Sequence, residues 1–241
     1  MNDILRRTYG LKHFDVTPSS GFLYQYDDLI GDMRLFGSPI SISGHGLRPY
    51  TDFKEMNNRM NWYTTVRDPI ARCISHYQHQ VEKMGSQYSL KEWIEKPHHK
   101  NWMLWFYGGS NSVDQAKRAI LDKQMQVVFL SEGLYEGMEF LFGKGITRVY
   151  GEKNKPKTGD TARKIRQNPK LMSIIEEANR GDYELLEFLR TLEIKPFKPV
   201  TSCSRVRSSI NSGLSYLHRN CVYKPLKRVI LVRRRTSKNT M

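Results

Sequence analysis

The sequence predicts an α/β domain built on a parallel sheet flanked by helices, and three observations carry that expectation. Short β-rich runs bounded by turn formers alternate with segments of helical period, the order parallel strands need because helical crossovers join them. At 241 residues the chain is long enough for one sizeable core and short for two. Its 39% hydrophobic and 11% aromatic residues suit a folded protein, while no run of about 18 apolar residues offers a membrane span. The expected division is a domain over residues 1–200 and a tail over 201–241.

The elements follow in order. Residues 2–9 have helical composition and stop at Gly10, after which "HFDVTPSSG" reads as loop. "SPISISGHG" (38–46) and "NWYTTV" (61–66) read as short buried strands. From Ile70 the apolar positions Cys73, Ile74, Tyr77, Val81 and Met84 keep helical spacing, with Pro69 where a first-turn proline is tolerated and Asp68 near the positive end of the dipole. A second unit of this kind reads as helix (112–124), strand (125–131) and helix (132–142), with one more strand over 145–151. The basic stretch "EKNKPKTGDTARK" reads as loop, and a helical pair (169–179 and 181–191) closes the domain.

Charge is distributed unevenly. Residues 201–241 hold ten Lys and Arg and no Asp or Glu, so of the net +15 they supply +10 and leave +5 to residues 1–200. The body is mildly basic and suits an anionic ligand, whereas the tail suits a polyanion or acidic membrane surface. Within it, Val222–Arg235 ("VYKPLKRVILVRRR") sets aliphatics among basic residues, a pattern for anionic lipid or for a solubilising tail. The charged N-terminus lacks the apolar core of a secretory signal, which predicts a cytoplasmic chain, membrane-peripheral where the tail meets lipid. Cys73, Cys203 and Cys221 are odd in number and widely spaced, giving neither a disulfide framework nor zinc-ligand spacing; no metal is expected.

The candidate chemistry centres on "WYTTVRDPIARCISHYQHQ". A predicted strand ends there on Arg67 and a helix begins, and ligands of parallel α/β sheets bind beyond such carboxyl ends. A helix N-terminus beside a guanidinium suits a phosphate, because free backbone N–H groups and a bidentate cation act on one anion. Ser75 lies two turns on, roughly 12 Å along the axis, and would touch another part of a long or bent ligand. The same spacing also suits an arginine paired with an acidic neighbour and a serine on a helix surface.

These residues resemble the 3′-phosphate-binding segment of carbohydrate sulfotransferases, a family that includes heparan sulfate 2-O-sulfotransferases and bacterial relatives. Arg67, Asp68, Pro69, Arg72, Ser75 and Tyr77 match its pattern of apolar strand, Arg-Asp-Pro, Arg and Ser-x-Tyr. Gly44 and His45 match the Gly-His at the end of the preceding strand, and "NWMLWFYGG" with Asn101, "DQAKRAILDKQMQVVFLSEGLYEGMEFL" and "NRGDYELLEFL" are similar to later elements. The likeness spans about residues 2–192. It implies a P-loop-like fold, 3′-phosphoadenosine 5′-phosphosulfate (PAPS) as sulfuryl donor, and a hydroxyl of a carbohydrate-type molecule as acceptor. Arg67 and Ser75 would then bind the 3′-phosphate. His45 would be the general base, since a neutral imidazole suits that role near pH 7; Asp27, Asp28 and Glu55 are the alternatives.

Two further expectations follow from the resemblance. "PKTGDT" mimics the family's 5′-phosphosulfate loop but comes late in the chain, where members carry a basic loop that closes over the donor; Lys157 and Thr158 are secondary donor contacts on that reading. The family's own first strand and phosphosulfate loop would precede the helix at 2–9, so the chain is expected to lack them, and Met1 is expected not to be the natural beginning of the functional domain. A non-catalytic remnant that binds nucleotide or polyanion is therefore the alternative function. A nucleic-acid-binding protein fits less well, because the charge is mostly in one tail and the aromatics form no stacking platform. Acceptor contacts are expected from loops 46–60 and 85–111, with Arg48, Lys54, Arg59, Trp102 and Trp105 as candidates. His13, His76, His79, His98, His99 and His218 read as surface residues.

Overall fold

A computed structural model of the chain describes residues 5, 9–16, 23–96, 98–129 and 159–192. They are mixed α/β and rich in helix, with short parallel strands. The chain packs into two compact units, and the described residues divide between them after Arg59.

In the first unit, Leu5 and Tyr9 are helical and a 3-10 turn (Gly10–Lys12) leads into β1 (His13–Asp15). Helix α1 (Tyr26–Phe36) connects it to β2 (Ser41–Ser43), which lies parallel to β1 with Phe14 opposite Ile42. Bonds from the Ile40 amide to the Lys12 carbonyl and from the Val16 amide to the Ser43 carbonyl, both 2.9 Å, extend the ladder at each end. Helix α1 buries Leu29 together with two carboxylates, Asp28 and Asp32. Burial of Asp32 is tolerable because the fully buried Tyr24 donates its hydroxyl to it at 2.8 Å. Tyr24 also lies beside Phe53, and Phe14 meets Phe36 edge-on, so aromatic area closes this small core. A second 3-10 stretch (Lys54–Arg59) ends the unit.

In the second unit, β3 (Tyr63–Val66) pairs in parallel with β4 (Gln126–Phe129). Four helices lie between them in sequence: α2 (Pro69–Glu82), α3 (Leu90–Ile94), α4 (Trp102–Gly108) and α5 (Val113–Asp122). Helices α6 (Asp160–Arg166), α7 (Pro169–Ala178) and α8 (Arg180–Arg190) follow β4. Their starts are set by side chains that accept otherwise unpaired amides: Asp68 for α2, Ser89 for α3, Ser112 for α5 and Asn168 for α7. The core joins Cys73, Ile74 and Tyr77 of α2 to Leu90, Trp93 and Ile94 of α3, Ile165 of α6, and Ile175 and Ala178 of α7. Each large apolar side chain buried there contributes roughly 1.5–3 kcal/mol. Helix α8 packs against α4, α5 and α7.

Several expectations are corrected. "HFDVTPSSG" begins with strand β1, a three-residue element too short to show alternation. Helix α1 was not expected, because Asp28 and Asp32 on its buried side break the amphipathic pattern. The acceptor loops 46–60 and 85–111 contain the 3-10 stretch and helices α3 and α4. Helix α6 occupies the end of the basic stretch read as loop. The helix over 132–142 and the strand over 145–151 lie outside the described residues. Among the described residues no helix is long and apolar enough to cross a membrane.

Candidate functional site

Strand β3 alternates half-buried and buried side chains, and Thr64 shares a 3.0 Å hydrogen bond with the Tyr107 hydroxyl of α4. Past Val66 the chain leaves the ladder, and Arg67 stands exposed at the carboxyl end of the strand. Among the described residues Arg67 has no hydrogen-bond or ion-pair partner, so the acidic-neighbour reading of its charge finds no counterpart there. Asp68 then caps α2, its Oδ1 accepting the Ala71 amide at 2.7 Å, and Pro69 opens the helix. Ser75 is half-buried on α2, also with no hydrogen-bond partner among the described residues.

The first turn of α2 is occupied by the protein's own groups. The Arg72 amide donates to the Asp68 carbonyl at 2.9 Å and the Ala71 amide to the Asp68 carboxylate at 2.7 Å. Tyr183, on α8, donates in turn to Asp68 Oδ2 at 2.8 Å. Burial first, and Asp68 second, push the Tyr183 phenol up to about 12. Two of the amides at this helix end are therefore engaged by the protein itself, beside a carboxylate.

Arg72 points into the protein. Its Nη2 donates to Asn179 Oδ1 at 3.3 Å and lies 3.9 Å from Asp182 Oδ2, with the guanidinium 4.9 Å from the centre of the Trp102 ring. Burial lowers its basicity while Asp182 opposes that shift. Asp182, fully buried, accepts the Met103 and Leu104 amides at 3.0 and 3.1 Å and so caps α4. Asn101, just before α4, accepts the Gly181 and Asp182 amides at 2.9 and 3.2 Å and so caps α8. Burial pushes the Asp182 carboxyl up to about 6 against the pull of those amides and Arg72. Residue-type reasoning missed Asp182 and Tyr183. The available signal was Asn101 just ahead of α4 and the acidic Asp182 in the first turn of α8.

In the first unit, β2 ends at Ser43 and the chain turns over Gly44–Leu47, the Leu47 amide reaching the Gly44 carbonyl at 3.3 Å. His45 is exposed on that turn, at the strand end where it was expected. Gly44 is required there, because a Cβ would lie 2.7 Å from the Val16 carbonyl oxygen. Of the alternative bases, Asp28 accepts the Gln25 amide at 3.1 Å and is buried, and Glu55 accepts the Tyr26 hydroxyl, which lowers its pKa. Asp27 is exposed on α1.

Three histidines are not surface residues. His13 is buried, with Nδ1 3.1 Å from Ser41 Oγ and Nε2 3.1 Å from Ser43 Oγ; a neutral ring can donate at one nitrogen and accept at the other. His76 meets Trp93 edge-on and His99 stacks on Trp93, both half-buried. Burial, then Arg72, pushes His76 down to about 4. Among the described residues no three His, Cys, Asp or Glu side chains cluster as metal ligands.

Of the acceptor candidates, Trp102 stacks on Phe106, Trp105 meets His98 edge-on, and Lys54 lies 4.4 Å from the centre of the Tyr26 ring. Arg48 is half-buried and Arg59 exposed. Lys157, Thr158, His218 and the segment Val222–Arg235 lie outside the described residues. Compared with known proteins, the chain matches no family model, no curated protein and no solved structure.

Proposed function

We propose that the chain is a PAPS-dependent sulfotransferase with a P-loop-like fold, moving a sulfuryl group to a hydroxyl of a carbohydrate-type acceptor. The observation that carries the reading is Arg67: an exposed guanidinium without a partner among the described residues, at the carboxyl end of a parallel strand and directly before a self-capped helix. In this reading Arg67 and Ser75 hold the 3′-phosphate, the charge that separates PAPS from ordinary adenine nucleotides, and Lys157 and Thr158 add contacts to the donor. His45 removes the acceptor proton as the acceptor oxygen bonds to sulfur and the sulfur–oxygen bond to the 5′-phosphate breaks. The tail, with ten basic and no acidic residues over 201–241, is read as a contact for an anionic membrane surface.

Isothermal titration of the full chain with 3′-phosphoadenosine 5′-phosphate and with adenosine 5′-phosphate tests the donor reading. The 3′-phosphorylated nucleotide should bind more tightly, and Arg67→Ala should weaken it by roughly 1.5–3 kcal/mol while barely changing the other. Equal losses for both nucleotides, or binding of neither by the wild type, overturn the reading.

A further inference from the structure

We infer that Tyr183 is a positioning residue for Arg67, and that the first turn of α8 is the brace that holds the 3′-phosphate contact in place. The inference rests on the donor reading above and adds a residue to it. Arg67 has no hydrogen-bond or ion-pair partner among the described residues, so its guanidinium is aimed by its backbone and by what holds the next residue. That residue, Asp68, uses its two carboxylate oxygens differently. Oδ1 accepts the Ala71 amide at 2.7 Å and starts α2, while Oδ2 accepts the Tyr183 hydroxyl at 2.8 Å. One carboxylate thus joins the start of α2 to the first turn of α8.

A second tie lies one helical turn along α2. Arg72 reaches Asn179 at 3.3 Å and Asp182 at 3.9 Å, both at the start of α8, and Asp182 is itself locked by the Met103 and Leu104 amides. The turn that carries Arg67 is thus fastened at Asp68 and Arg72 to residues 179–183, more than a hundred positions later in the chain. Binding contacts hold their geometry only when such a supporting layer fixes them. Losing the Tyr183 hydroxyl leaves the phenyl ring in place but frees Asp68 Oδ2, and the Arg67 turn gains freedom.

The test is a double-mutant cycle on the full chain with Tyr183→Phe and Arg67→Ala, read by titration with 3′-phosphoadenosine 5′-phosphate and adenosine 5′-phosphate. In the wild-type background Tyr183→Phe should weaken the 3′-phosphorylated nucleotide about fivefold to tenfold and change the other less than about twofold. In the Arg67→Ala background the same change should have no further effect on either. A merely structural role would lower both affinities alike, and independent action would give additive losses; either result, or unchanged binding in Tyr183→Phe, overturns the inference while the donor reading stands. A wild type that binds neither nucleotide overturns both.

Discussion

Asn101 and Asp182 cap each other's helices. The Asn101 side chain accepts the Gly181 and Asp182 amides at the start of α8, and the Asp182 carboxylate accepts the Met103 and Leu104 amides at the start of α4. Two helix ends that meet inside the protein thereby satisfy four otherwise unpaired amides without water.

The conformation of Asn101 makes this cap testable. It sits in the left-handed region at φ 45°, which Asn tolerates and Ala does not. Asn101→Ala should lose the cap, about 1–2 kcal/mol, and add about 1 kcal/mol of backbone strain. Asn101→Gly loses the cap but not the conformation and should be the milder change. Urea unfolding of the two variants checks the order; a Gly variant as unstable as the Ala one contradicts it.

Gly181 should resist replacement for a different reason. A Cβ there would lie 2.8 Å from Leu104 Cδ1 and 3.2 Å from the Asn101 side-chain oxygen, inside the cap itself. Ala is the better helix former by about 1 kcal/mol. Gly181→Ala should nevertheless destabilise the protein by about 1–3 kcal/mol, the usual range for overpacking. A rise in thermal midpoint would show that the buried Leu104 yields at little expense.

Two groups beside Arg72 should give stability opposing pH dependences. Asp182 titrates near 6 when folded against 3.8 in the free side chain, so between those values the folded state holds the extra proton and stability falls as pH rises. His76, lowered by burial and by Arg72, His99 and His79, titrates near 4 when folded against 6.5. Over that interval the unfolded state holds the extra proton, so stability rises with pH. Asp182→Asn should therefore steepen the rise in stability between about pH 4 and 6, and His76→Phe should flatten or reverse it. Denaturant midpoints at three pH values separate the outcomes, and parallel curves for both variants and the wild type rule the assignment out.

Removal of the base proposed for sulfuryl transfer should slow turnover without loosening the donor. His45→Ala is expected to lower the transfer rate by about 10² to 10⁴-fold and leave affinity for 3′-phosphoadenosine 5′-phosphate within about twofold. Near-normal turnover would move the role to Asp27, since Asp28 is engaged at the start of α1 and Glu55 is held by Tyr26.

The sequence by itself determined the features whose cause is local. The β-rich run to Val66, the Asp-Pro pair and the apolar spacing from Ile70 to Tyr77 place a strand, a helix start and a buried helix face within fifteen residues, and β3 and α2 lie there. The spacing of α5, α7 and α8 was equally readable, because each buries one face and leaves the other in water. Tertiary structure alone decided the rest. Three residues of β1 carry no period, and α4 is two turns long with apolar side chains nearly all round. Helix α1 hides carboxylates whose partners come from elsewhere, Tyr24 among them. The groups around Arg67 depend on bonds spanning 115 residues from Asp68 to Tyr183 and 81 from Asn101 to Asp182. Such bonds exist only because packing brings two helix ends together and buried amides must find acceptors, a requirement that periodicity along one segment does not register.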